Sequence, residues 1–307
     1  MSNVSLAATI QSAFNLSGGV ELNGIKIEGE IQPGDAQKFY VELKKDNFEK
    51  TTIFLRSLGG DVEEAIKIGQ IIRRLRLTTE VPTRFDSINK SLDLIKIDNE
   101  TNRVCASACF LIYAAGVERI GNLIALHRPY LPQEQAKTIS DVDYIKLQNN
   151  MLNTIRKYLE DMEVNEFYIQ KILDYNSQDF YLVSPTDTAI YPLDNMIPSI
   201  KEVIISRGCD PVTSHQILAA DRSPSRSIPR YLEIAKENRW ESCSFNALNK
   251  IRAEAASREL NNLNKSSKSI SNKAAGGVKL PWIIIIMLIA SLFIIIFYRF
   301  IKRQEKL

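Results

Sequence analysis

The sequence predicts an α/β domain followed by a helical region and one transmembrane helix. Three observations predict it. Short β-branched runs alternate with segments of helical periodicity along the N-terminal part of the chain. A charge-free stretch of eighteen residues, Pro281 to Tyr298, lies near the other end. Just before it, residues 264–279 are rich in Ser, Asn, Lys and Gly, the composition of a flexible linker.

The elements follow in order. Residues 20–31 alternate apolar and polar side chains, as a half-buried strand does. Ala36 to Lys45 has helical spacing, and Thr51 to Leu55 is a buried strand. Ser57-Leu58-Gly59-Gly60 makes a turn. Val62 to Leu75 is a helix, with Asp61, Glu63 and Glu64 where the helix dipole favours acids. Thr78 to Val81 is the next strand, and residues 84–103 form a polar insertion around Leu92 to Ile97. Val104 to Ala115, small and apolar throughout, predicts a buried helix, and Leu123 to Leu126 a strand ending at His127. Two amphipathic helices, Asp141 to Glu163 and Asn165 to Leu173, precede a short strand at Phe180 to Val183. Ser184-Pro185-Thr186-Asp187 opens a further helix. The expected division is an N-terminal segment 1–21, an α/β domain 22–205, a helical extension 206–263, a linker 264–280, a span 281–298 and a basic tail 299–307.

Eighteen apolar residues are about the minimum that crosses a bilayer as a helix, and Trp282 and Tyr298 stand where interfacial aromatic rings prefer to sit. Residues 281–298 are therefore expected to contact membrane lipid. Met1 to Val20 lacks the basic start and long apolar run of a secretory signal. Together these give a single-pass protein with a C-terminal anchor. The missing signal leans the large domain towards the cytoplasm, and the cluster Arg299, Lys302, Arg303 and Lys306 leans the tail there instead.

Composition excludes several classes. A net charge of +3 is too small to argue for nucleic acid. Two histidines and four cysteines without a CxxC argue against structural zinc. No Gly-x-x-x-x-Gly-Lys-Ser/Thr run is present, so nucleotide is not bound by that route, and no cofactor is called for. Cys105, Cys109, Cys209 and Cys243 are expected to be free thiols if the domain faces the cytoplasm. Bridging to one another is the alternative.

Amide hydrolysis needs a nucleophile, a base and donors for the developing oxyanion. Ser107 is a hydroxyl among small residues, Cys105-Ala106-Ser107-Ala108-Cys109, where a peptide could approach closely. A serine bonded to the backbone one turn back is the plainer account of it. His127 ends an apolar strand before Arg128-Pro129, and Gly59-Gly60 sits between a strand and a helix. Singly, each of these is more often structural than functional.

Taken in order, four segments resemble a family. Leu55-Arg56-Ser57-Leu58-Gly59-Gly60-Asp61-Val62 is similar to the Ser-Pro-Gly-Gly segment of the Clp-protease proteolytic subunit and its relatives. The Cys105 to Cys109 segment resembles that family's nucleophile segment, and Leu126-His127-Arg128-Pro129 its histidine segment. Asp179-Phe180-Tyr181-Leu182, with Pro185 and Leu193-Asp194 following, resembles its aspartate segment. The paired cysteines look most like a bacterial, membrane-associated branch. The resemblance covers about residues 22–200, and Leu58 departs from it by replacing a proline.

The resemblance implies a repeated β-β-α superhelical spiral, as in Clp-protease subunits and crotonases. It implies a serine endopeptidase in which Ser107 attacks, His127 is the base, Asp179 orients the histidine, and Gly59 and Gly60 donate to the oxyanion. It also implies a peptide or protein substrate, a homo-oligomer and a separate ATP-driven unfoldase. A crotonase-type acyl-CoA enzyme and a non-catalytic scaffold are the competing readings. The second draws on residues 201–270, which match no known pattern.

Overall fold

The computed structural model describes residues 7–17, 20–82, 104–129, 139–175, 179–183, 196–210 and 228–275. The chain divides into two units, Met1–Ser257 and Arg258–Leu307. In the second, the described part is the end of one long helix.

Among the described residues there are seven helices and two sheets. β1 (Thr9–Ser17) and β2 (Val20–Glu28) form an antiparallel hairpin. α1 (Asp35–Lys45) leads to β3 (Thr52–Arg56), and α2 (Val62–Leu75) to β4 (Thr78–Glu80). β5 (Cys105–Ala106) runs straight into α3 (Ala108–Ala114), followed by β6 (Glu118–Ile120) and β7 (Ile124–Leu126). α4 (Asp141–Asp161), α5 (Glu166–Asp174), β8 (Tyr181–Leu182), α6 (Pro198–Ser206) and α7 (Ile228–Ala275) complete the order. The larger sheet runs β1-β2-β3-β4-β6 and is parallel from β2 onwards; the smaller runs β5-β7-β8.

This corrects the expected fold. Among the described residues the chain builds a mixed α/β fold of seven helices and two sheets, and not a repeated β-β-α spiral. Among the described residues, only β1 and β2 are consecutive strands hydrogen-bonded to each other that lead into a helix. β4 and β5 precede α3, and β6 and β7 precede α4, but each of these sets divides its strands between the larger sheet and the smaller one of β5, β7 and β8.

The single-pass architecture is corrected as well. Among the described residues, no helix is long and apolar enough to cross a membrane. The apolar run 281–298, the tail 299–307, the whole of the insertion 84–103 and the segment opening at Ser184 lie outside the described residues. The linker expected over 264–280 is helical as far as Ala275, because α7 continues through its serines and lysines.

The core forms where the helices cover the larger sheet. Ile25, Ile27, Ile53 and Leu55 meet Phe39, Leu43, Ile68 and Ile72, all essentially inaccessible. α2 ends against α3, and Tyr158 of α4 reaches in to donate its hydroxyl to Leu111 O at 2.8 Å. Gly69 permits this, since a Cβ there would stand 1.8 Å from the Tyr158 hydroxyl oxygen. The C-terminal end of α3 is held by two guanidiniums. Arg73 donates to Ala114 O at 3.3 Å and Arg119 to the same oxygen at 2.5 Å, a favourable place for cations. Burial pushes the Arg119 guanidinium down to about 10, still charged at neutral pH. So α3, the helix behind Ser107, is fixed at its far end by charge and along its length by packing.

A second cluster joins α6 and α7 to the domain. Met196, Ile197, Ile200 and Ile204 pack with Trp240, Leu248 and Ile251. The extension expected at 206–263 is thus, up to Ser257, part of the domain itself.

Candidate active site

Ser107 sits on the turn between β5 and α3 with φ 54° and ψ −126°. A positive φ is rare for a residue with a Cβ, and such conformations cost about 1–3 kcal/mol. The expected helix over Val104 to Ala115 therefore starts late. Cys105 and Ala106 are strand, paired with Ile124 and Ala125 of β7, and only Ala108 onwards is helix. Uniformly small apolar side chains carry neither period, so this junction leaves no trace in the pattern.

The smaller sheet brings the predicted residues together. β5, β7 and β8 are neighbours in that order. Ser107 N–H donates to Ala125 O at 3.3 Å, extending the ladder one residue beyond β5. His127 directly follows β7, and Asp179 lies two residues before β8. Leu126 pairs with Tyr181. The pairing ends there, and the Arg128 N–H donates instead to Tyr175 O, just past α5, at 2.7 Å. Serine, histidine and aspartate thus leave one sheet on successive strands spaced by about 4.8 Å.

The side chains are less closely joined than the backbones. His127 is half-buried, and its Nδ1 lies 3.1 Å from Arg128 O. Ser107 Oγ has no hydrogen-bond partner among the described residues, and Asp179 is exposed.

The two glycines have different tasks. A Cβ on Gly59 would stand 2.6 Å from Ser107 Cβ and 3.0 Å from Ser107 Oγ, with φ 110° besides. Gly59 therefore lies directly against Ser107, joining segments far apart in sequence. A Cβ on Gly60 would instead stand 2.2 Å from Ile31 O, where that residue bridges to the sheet. The Gly59 N–H is occupied by Ser57 Oγ at 3.1 Å. The N–H groups of Gly60 and Ala108 have no partner among the described residues.

Two participants escaped the sequence reading. One is the Ala108 N–H, which opens α3 beside Gly59: its nitrogen would be 3.0 Å from a Cβ there. The other is Ser57. Its hydroxyl holds Gly59 and its carbonyl accepts from Ala106 N–H at 2.9 Å, tying the glycine turn to the serine strand. The serine that opens the Ser-Leu-Gly-Gly run was the available signal.

The cysteines are all paired. Cys105 bridges Cys109 across the Ser107 turn, and Cys209 bridges Cys243. The expectation of free thiols is overturned. Paired cysteines are characteristic of proteins that fold in oxidising surroundings.

Against known proteins, no family model matches this chain and no curated protein matches it.

Proposed function

We propose that the protein is a serine peptidase in which Ser107 is the nucleophile, His127 the base and Asp179 the residue that orients the histidine. The observation that carries this reading is Ser107 itself: a serine with positive φ at a strand-to-helix turn, one strand from a histidine and two from an aspartate. Strain of that kind gathers at functional sites. The absence of a Ser107–His127 hydrogen bond does not count against it, since catalytic bonds often tighten only once substrate is bound. Unpaired N–H groups at Gly60 and Ala108 are the available oxyanion donors. The resemblance to Clp-protease subunits supports peptide as the substrate class, and with it a homo-oligomer fed by a separate unfoldase.

A non-catalytic role is the second reading, favoured by the His127 Nδ1 contact with its own neighbour's carbonyl. Labelling with a fluorophosphonate, mapped by mass spectrometry, separates the two. The peptidase reading expects label on Ser107, and none after Ser107→Ala or His127→Ala. Cleavage of peptide substrates should fall to near background in each variant, and the double variant should be scarcely worse, because the two act as one unit. Asp179→Asn should cost up to about 10⁴ in rate. Full peptidase activity in Ser107→Ala would sink the assignment.

A further inference from the structure

Helix caps elsewhere in the molecule show what a small polar residue does when free to choose. Asp61, Ser140 and Asn165 precede their helices with ordinary extended backbones, at φ −66°, −69° and −60°. Each accepts a backbone N–H from the first turn with its side chain. That is the standard cap, and serine is among the residues best suited to it. Ser107 holds the same position before α3 and does neither. Its φ is positive and its hydroxyl caps nothing.

An unrestrained Ser107 would gain by relaxing to a standard cap. The hydroxyl would then turn back on its own helix and away from His127. Something holds it otherwise, and its own hydrogen bonds are modest: Ser107 N–H to Ala125 O at 3.3 Å and Phe110 N–H to Ser107 O at 3.0 Å. The covalent restraint is the bridge from Cys105 to Cys109, which spans the turn with a sequence separation of 4. Cys105 is pinned in β5, donating to Leu123 O at 3.0 Å, and Cys109 lies in the first turn of α3. Linking them leaves the three residues between a small set of conformations.

We propose that the Cys105–Cys109 disulfide is a positioning device that keeps Ser107 out of the capping conformation, so that oxidation of these thiols completes the site. The proposal rests on the reading of Ser107 as nucleophile. In forming the bridge, the two thiols give two protons and two electrons to a disulfide-bearing oxidant, which leaves as two thiols. Both cysteines are fully buried in the folded chain. The bridge is therefore set during folding and does not act as a switch afterwards.

The test uses Cys105→Ala/Cys109→Ala and the better-filled Cys105→Ala/Cys109→Val, in case the first does not fold. Serine-selective ¹³C labelling reports the backbone at Ser107, assigned by its loss in Ser107→Ala. Fluorophosphonate labelling reports its reactivity. We expect the Ser107 shifts to move from positive-φ values to those of an ordinary cap, and labelling to slow about 100-fold, the effect of misplacing a reacting group by roughly 1 Å. Cys209→Ala/Cys243→Ala should leave both readouts unchanged in the folded protein. Positive-φ shifts that persist in a folded Cys105/Cys109 variant would overturn the proposal. If the shifts move as expected but the unaltered protein takes no label, the strap stands and the nucleophile reading falls.

Discussion

The two disulfides do opposite kinds of work. Cys105–Cys109 closes a loop with a separation of 4 residues at the candidate active site, and Cys209–Cys243 one with a separation of 34 near the C-terminal helix. The loop-closure estimate gives about 2 kcal/mol for the first and about 4 kcal/mol for the second. A bridge placed for stability belongs where the loop is long; one placed at a tight turn contributes less to stability and more to local geometry. The difference teaches that the chain secures its periphery with entropy and its serine with geometry.

The periphery is also fastened in other ways. Arg207 grips Glu254 with two bonds at 3.2 and 2.9 Å, and Arg252 donates to Arg76 O at 3.0 Å and to Thr78 Oγ1. The largest effect is therefore expected from Cys209→Ala/Cys243→Ala: a loss of about 4 kcal/mol in denaturant unfolding, with the fold retained. A loss under about 1 kcal/mol would break the comparison, since the long loop would then carry no more than the short one.

Next comes Gly59→Ala. The added methyl meets Ser107 Cβ at 2.6 Å on a backbone with φ 110°. Fluorophosphonate labelling should fall on the order of 100-fold, as for misplacement of a reacting group. Gly34→Ala is the control for strain alone, since Gly34 also has positive φ but no atom within 4 Å of a Cβ. It should lower stability without slowing the labelling. Equal effects of the two on labelling would place the Gly59 role in backbone strain and remove its contact with Ser107 from the argument. Third is Cys105→Ala/Cys109→Val, expected to cost about 2 kcal/mol of stability, half the effect of the longer bridge.

What the sequence disclosed follows the same division. α2 was legible to the residue, Val62–Leu75, because two signals coincide there, acids at its start and apolar positions at helical spacing; the structure adds Asp61 as the cap. Ser107, His127, Asp179 and the glycine pair were legible as segments in order; the first three flank the strands of the small sheet, and Gly59 reaches Ser107 from the turn after β3 of the larger one. What was hidden depends on contacts between distant segments. β6 has only three residues, Glu118–Ile120, and takes its strand character from pairing with β4. The split into two sheets leaves no mark on any single strand. Four cysteines allow three pairings, and sequence alone does not choose among them. The Ser, Asn and Lys residues after position 264 read as linker by composition, yet helix α7 carries on to Ala275.

The smallest expected effect concerns the junction that carries the glycine turn. Glu64, buried in α2, accepts the Ala36 N–H of α1 at 2.9 Å and pairs with Lys67 at 3.0 Å. The Ala36 bond, ahead of the Lys67 contact, holds its carboxyl below the ordinary 4.5, against the opposing effect of burial. A carboxyl whose folded value is depressed stabilises the fold above its unfolded value, and that contribution drains away as pH falls through the folded one. Stability should thus decline below about pH 4.5, and Glu64→Gln should flatten part of that decline while costing about 1 kcal/mol at neutral pH, the typical net contribution of one hydrogen bond, since the glutamine amide oxygen can still accept. Fluorophosphonate labelling at pH 7 should be unchanged, because Glu64 anchors α1 to α2 and does not touch Ser107. A Glu64→Gln protein with the same acid limb as the unaltered chain would show that other carboxylates set it. Slowed labelling would mean that the α1–α2 junction reaches the serine turn through Gly59, and the separation between fastening and positioning would need redrawing there.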